Sequence, residues 1–180
     1  MEVLANEAGR EEIIGNLASF SKYYRLPEQL ADMSNQELAR QIIEGIPHSH
    51  LSLTTFLQKE KYLISPLHNA FYTRDASFVI GDTVFISSMA KRIRVPEALI
   101  MRSLFRYSQL FEADIVSVRE VAATELHPIS IEGGDVLVVG PDTLVIGIGS
   151  HTSAQATDAL IKQIISRSSV RHILIQELPD

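Results

Sequence analysis

The chain has 180 residues with no cysteine and no tryptophan, a net charge of −6, and 46% hydrophobic and 21% charged residues, the composition of a globular domain large enough to bury a core. That excludes a thiolate nucleophile, a Cys-ligated metal and a disulfide scaffold, and no apolar stretch reaches the roughly 18 residues of a membrane span. The acidic balance argues against nucleic acid or an anionic membrane as the main partner, and Met1-Glu2-Val3-Leu4 opens no export signal, so a cytoplasmic protein is expected.

The first third reads as helical. Ile13, Leu17, Phe20 and Tyr24 recur at helical spacing and predict one continuous apolar face. Ser34 and Glu37 have the form of a capping box before a helix through Leu38 and Ile42, which Gly45 stops just ahead of Pro47. Residues 47–69 read as a connector with room for a short helix. Phe78-Val79-Ile80 and Val84-Phe85-Ile86, split by Gly81-Asp82-Thr83, predict a hairpin. Pro96 opens a helix through Ile100, Leu104 and Tyr107, and Ile115 to Val118 reads as a strand. The second half repeats this order. Val136–Val139 and Leu144–Ile148 flank Gly140-Pro141-Asp142, Thr152-Ser153-Ala154-Gln155 reads as a capping box, Leu160 and Ile164 mark a helix face, and His172–Gln176 closes as a strand.

Asp75 and Asp135, 60 residues apart, each precede a hairpin, and Ile86 and Ile146 each follow 11 residues later. Such a period predicts stacked units like propeller blades, which normally need three or more repeats. Two repeats point to a chain shorter than its architecture.

Glu132-Gly133-Gly134-Asp135 is the most informative tetrad. Its glycines permit close backbone approach or positive φ, so both acids can be turned into one site, with Thr73-Arg74-Asp75 in the equivalent place of the first repeat. Converging carboxylates suit the planar fork of a guanidinium; the plainer reading is that these acids cap turns or pair with a structural Arg. Lys91-Arg92-Ile93-Arg94 with Glu97 reads either as an anion clamp or as a solvated helix start with a surface ion pair. His48-Ser49-His50 and Glu125-Leu126-His127 lack a third ligand at metal-site spacing, and Gly147-Ile148-Gly149-Ser150 is a lone Gly-x-Gly, so no metal or organic cofactor is expected.

Pro66-Leu67-His68-Asn69-Ala70-Phe71-Tyr72-Thr73-Arg74-Asp75 resembles the arginine deiminase motif P-L-P-N-x-x-F-T-R-D. Ser88-Met89 through Arg92-Ile93-Arg94-Val95-Pro96-Glu97 is similar to that family's N-x-M…A-R-x-x-E, Ile131 to Val138 to its I-E-G-G-D-V-L-V, and Gly149-Ser150-His151-Thr152-Ser153 to its G-x-E-R-T-S. Met33 to Ile46 resembles the helical insertion of the same enzymes. The resemblance implies an α/β fold: an incomplete, pentein-type α/β propeller with about two ββαβ blades (about 66–125 and 126–180) behind a helical segment, 1–65. It also implies hydrolysis of L-arginine to L-citrulline and ammonia without metal or cofactor. Asp75 would grip the guanidinium, Glu132 would support that grip, Arg94 would bind the α-carboxylate, and Asn69, Tyr72, Asp135 and His151 would complete the substrate site.

The departures bear on activity. The family attacks the guanidinium carbon with a Cys, which this sequence lacks, and its His-x-Asp segment is not found. His151 stands where the family has an Arg, Tyr72 where it has a Phe, and Ser87 where it usually has an Asn. The expectation is a partial arginine deiminase-like protein, truncated at both ends and inactive alone, with arginine or a related guanidino compound as ligand. Open strand edges predict a homo-oligomer or a complementing polypeptide. The alternative is a non-catalytic binding or interaction module on the same propeller fold.

Overall fold

The computed structural model describes residues 1–21, 23–48, 53, 57, 61–122 and 129–179. The short helix expected within 47–69, His50, and the Glu125-Leu126-His127 run lie wholly or mostly outside the described residues. The chain divides into two compact units, Met1–Ala70 and Phe71–Asp180.

The first unit carries helices α1 (Glu2–Ala5), α2 (Glu7–Ala18), α3 (Leu26–Ala31) and α4 (Asn35–Glu44), then an antiparallel pair, β1 (Ile46–Pro47) and β2 (Tyr62–Ile64). Asn6 starts α2 by accepting a hydrogen bond from the Gly9 amide at 2.9 Å. The apolar face predicted to run on to Tyr24 is shorter: Ile13 and Leu17 are buried, but the helix ends at Ala18 and Tyr24 is 79% exposed. The chain turns at Ser19–Phe20 and restarts as α3, whose first turn accepts Pro27. Arg10 on α2 spans the gap, donating to the carbonyls of Leu30, Ala31 and Met33 and so satisfying acceptors that the end of α3 leaves open. Ser34 caps α4 by accepting from the Glu37 amide, and Gly45 ends it at φ +79°. A side chain there would also sit 2.6 Å from the Pro66 nitrogen, so only glycine fits.

The second unit holds two copies of one ββαβ pattern. The first comprises α5 (Thr73–Ala76), β3 (Ser77–Ile80), β4 (Thr83–Ile86), a 3₁₀ turn at Arg92–Arg94, α6 (Val95–Tyr107), β5 (Asp114–Ser117) and α7 (Val118–Val121). The second comprises a 3₁₀ turn at Gly133–Asp135, β6 (Val136–Gly140), β7 (Thr143–Ile148), α8 (Ala154–Arg167) and β8 (His172–Glu177). Each sheet has the hairpin's second strand in the centre, antiparallel to the first strand and parallel to the third, in the orders β3-β4-β5 and β6-β7-β8.

Burial explains the sequence patterns. All of β4 is buried because both its faces are covered. Val84 and Ile86 pack with Met89 and Ala98 under α6, while Phe78, Ile80 and Phe85 join Val136, Leu144, Ile146, Leu160 and Ile164 of the second repeat in one core. Phe78 and Phe85 stack at 5.4 Å across the hairpin. The second sheet is covered on one face. On its other face Leu137, Val145 and Leu174 lie in register across three strands, with Leu137 49% and Leu174 57% exposed.

Helix α8 allows a direct check, because it presents one fully buried leucine and one exposed isoleucine. Leu160→Ala is expected to cost about 2–5 kcal/mol in urea unfolding, by lost transfer energy and a residual cavity. Ile165→Ala on the same helix is expected to stay within about 0.5 kcal/mol.

Candidate functional site

Both repeats bring the same kind of segment to one end of their sheets: the turn before the first strand and the loop after the second. In the first repeat these carry Asp75 and Arg94; in the second, Glu132 with Asp135, and His151 with Thr152. The loop after β4 is tied to the segment before β6 by a bridge between Ser88 and Ile131, with the Ile131 amide donating to the Ser88 carbonyl at 2.8 Å. Arg74 donates to the Val136 carbonyl, so the turn before β3 is fastened to the first strand of the second repeat.

The centre of the site is Arg94. Its Nη1 donates to Asp75 Oδ2 at 3.0 Å and lies 3.2 Å from Glu132 Oε2, and its Nε donates to Glu97 Oε2 at 3.0 Å. Nη2 forms an ion pair with the same Glu97 oxygen at 2.9 Å but is not aligned for a hydrogen bond. The side chains of Arg94, Glu97 and Glu132 are 7%, 3% and 4% exposed, and Asp75 is 26% exposed. Burial by itself would make the Arg94 guanidinium easier to deprotonate. The hydrogen bonds to Glu97 and Asp75, and the charges of Glu97 and Glu132, outweigh it and hold the pKa above the ordinary arginine value.

Glu132 is fixed from several sides. The Ala90 amide donates to Oε1 at 3.3 Å, His151 Nδ1 lies 3.2 Å from Oε2, and the Glu132 amide donates to Thr152 Oγ1 at 3.3 Å. That Thr152 hydroxyl is fully buried and donates in turn to Asp135 Oδ2. Thr152 therefore holds the backbone of one acid and the carboxylate of another. The glycines between those acids serve close approach. Neither has positive φ, but a side chain at Gly133 would sit 2.1 Å from the Arg74 carbonyl, and one at Gly134 would sit 2.6 Å from Asp75 Oδ1. The Gly pair lets the Glu132 turn press against the Asp75 turn.

Asp75, Arg94, Glu132, Asp135 and His151 thus form one connected network. Tyr72 is 55% exposed, with its ring 4.3 Å from that of Phe71. Asn69 belongs to the first unit, where it is half-buried. Two sequence readings change. The Lys91–Arg94 run is not simply a solvated helix start: Lys91, Arg92 and Ile93 are exposed, whereas Arg94 and Glu97 form a buried pair. And Thr152 is not the cap of α8; Ser153 is, accepting from the Ala156 amide at 3.3 Å. Sequence reasoning set Glu97 beside Arg94 without placing it in the substrate site, and missed Thr152. The three-residue spacing from Arg94 to Glu97, one helical turn, was the available signal for the first; for the second, adjacent Thr and Ser hydroxyls competed for one cap. Among the described residues no group of three or more His, Asp and Glu side chains could hold a metal ion.

Comparison with known proteins bears on this geometry. The family described as arginine deiminase matches residues 2–180. An arginine deiminase of Bacillus cereus is 28% identical over 99% of this chain and 46% of its own length. One of Pediococcus pentosaceus is 29% identical over the same shares. The chain spans about half the length of the curated relatives it matches. Among solved structures, a mutant of the Pseudomonas aeruginosa DDAH complexed with citrulline superposes with a TM-score of 0.51 at 18% identity, over 78% of this chain and 58% of that one. A dimethylarginine dimethylaminohydrolase adduct with S-methyl-L-thiocitrulline superposes with a TM-score of 0.50 at 18% identity, over the same shares. The chain shares the pentein-type α/β fold of these neighbours.

The double use of the Thr152 hydroxyl leads to a stability test. Thr152→Val keeps the shape but leaves the buried Glu132 amide without an acceptor, at an expected cost of about 1–3 kcal/mol in urea unfolding. Thr152→Ser is expected to recover most of that loss, and an unchanged Thr152→Val midpoint would show that the hydroxyl does not hold the acids.

Proposed function

This chain belongs to the arginine deiminase family, and we propose that these 180 residues bind L-arginine or a related guanidino compound at the acid network without hydrolysing it. The observation that carries the reading is the meeting of Asp75 Oδ2 and Glu132 Oε2 on one guanidinium nitrogen, at 3.0 and 3.2 Å. Those two acids hold the flat cation, Arg94 meets the α-carboxylate, and Asp135, Tyr72 and His151 complete the surroundings. His151 carries at most a partial charge near neutral pH, so it supports carboxylate binding less than an Arg would.

Hydrolysis needs a nucleophile at the guanidinium carbon and a group to protonate the departing ammonia. The sequence has no cysteine. Thr152, the hydroxyl inside the network, is committed to Asp135 and the Glu132 amide. The carboxylates neutralise the guanidinium, which stabilises the bound cation and makes its carbon less open to attack. Removing a catalytic unit of this kind typically lowers the rate by about 10⁶. The protein is read as cytoplasmic; among the described residues no helix is long and apolar enough to cross a membrane.

A second reading, an interaction module, draws on the exposed Leu137 and Leu174 flanking the half-buried Val145, and on the outer edge of β8. It is compatible with binding: self-association with a second copy would cover that face, and a complementing polypeptide would do the same.

Calorimetric titration with L-arginine is expected to give binding that Glu132→Gln weakens by about tenfold or more, a change of about 1.4 kcal/mol. No arginine binding by the wild type sinks the ligand reading, and citrulline formed clearly above the Glu132→Gln level sinks the claim of no turnover. Light scattering is expected to show concentration-dependent association that Leu174→Lys reduces; a monodisperse monomer at high concentration counts against self-association.

A further inference from the structure

Arg94 does two jobs that exclude one another. In the proposed function it receives the carboxylate of the ligand. In the structure its own guanidinium fills the place between Asp75 and Glu132 where the ligand's guanidinium belongs. We propose that Arg94 is the resident cation of the acid site and that free arginine enters by exchange of ion pairs: the incoming guanidinium takes the place of Arg94 on Asp75 and Glu132, and the released Arg94 takes the incoming α-carboxylate. This inference rests on the guanidino-ligand reading and specifies how that site is controlled.

The charges favour exchange over simple vacating. Withdrawing Arg94 alone would take a shared guanidinium from Glu132, Glu97 and the partly buried Asp75 at once, a costly change where carboxylates are buried. Replacing one guanidinium by another keeps the charge-assisted hydrogen bonds on both acids. A ligand that also brings a carboxylate gives the displaced Arg94 a partner, so every charge is matched before and after. The grip on Arg94 is uneven in a way that permits this. Glu97 holds Nε and Nη2 from one helical turn away, whereas Asp75 and Glu132 share only Nη1. Nη2 makes no hydrogen bond. The Glu97 contact can persist as a pivot while Nη1 changes partner. Asp75 is the most open member of the set, which puts the approach of a ligand on its side.

Exchange also sets the affinity scale. A resident side chain competes as an intramolecular ligand, with an effective concentration on the order of millimolar or more. Ligands offering only a guanidinium must overcome that competition without compensation. Ligands offering both a guanidinium and a carboxylate recover part of it. The site therefore discriminates arginine from its decarboxylated analogue, agmatine, through Arg94, although the cation-binding acids are the same for both.

The test is calorimetry with L-arginine, agmatine and guanidinium chloride, at concentrations well below denaturing and at matched ionic strength, on the wild type, Arg94→Ala and Arg94→Gln. The wild type is expected to bind arginine more tightly than agmatine. With Arg94 removed, guanidinium and agmatine are expected to bind about tenfold or more tighter than to the wild type, and the preference for arginine is expected to vanish. Should both variants be unfolded alone, restoration of a cooperative thermal melt by guanidinium chloride, and not by sodium chloride, supports the inference; no restoration overturns it. A folded variant that binds guanidinium no better than the wild type also overturns it. The two readings fail separately. If the wild type binds arginine, and binds agmatine as tightly as Arg94→Ala does, the ligand reading stands and the exchange falls. If the variants take up guanidinium while no form binds arginine, the resident cation stands and the amino-acid ligand falls.

Discussion

A guanidinium taken out of water has to be met by acceptors, and a buried carboxylate has to be met by a cation. Arg94 and its three acids satisfy both demands at once. The acids come from three separate places: Asp75 from the turn before β3, Glu97 from the first turn of α6, and Glu132 from the turn before β6. Two of the three acids, Glu97 and Glu132, are buried, where a carboxylate depends most on a nearby cation. Together they fix the end of the first sheet, the start of α6 and the start of the second sheet relative to one another. The Gly133-Gly134 pair, the Ser88–Ile131 bridge and the Thr152 hydroxyl are the accommodations that let the turns come that close.

Much of this architecture was legible in the residue pattern. The two hairpins, the helix opened by Pro96 and the repeat read from Asp75 and Asp135 correspond to two sheets with the same strand order. What the pattern could not reveal was which faces are covered. The alternation along β6 and β8 shows apolar residues on both sides, and only packing into the core shared by the two repeats decides that Val136 is buried while Leu137 is half-exposed. The helical period overstates the reach of the N-terminal helix for a related reason: Phe20 and Tyr24 keep the period after the backbone has turned at Ser19–Phe20, and period alone cannot locate that turn.

The acids of the network stand out in the sequence, and the burial of their shared cation does not. Glu132-Gly133-Gly134-Asp135 announces itself because two acids around two glycines need a tight, charged turn. Arg94 sits in a run with Lys91 and Arg92, and by composition all three should be solvated. Burial of one of them depends on a carboxylate 38 positions later in the chain, a contact that no local rule supplies. Thr152 was misassigned because a hydroxyl beside another hydroxyl satisfies the capping pattern equally well, and the choice between them is made by Asp135 from across the turn.

The tie between the loop after β4 and the segment before β6 has a consequence for how such a repeat protein acquires chemistry. Asp75, Arg94 and Glu97 lie on one repeat and Glu132, His151 and Thr152 on the next, so a solitary blade carries an unfinished electrostatic circuit. The ion network is a property of the seam: it comes into being when one repeat is set beside another, and substitutions that retune it on either side are constrained by the neighbour they face.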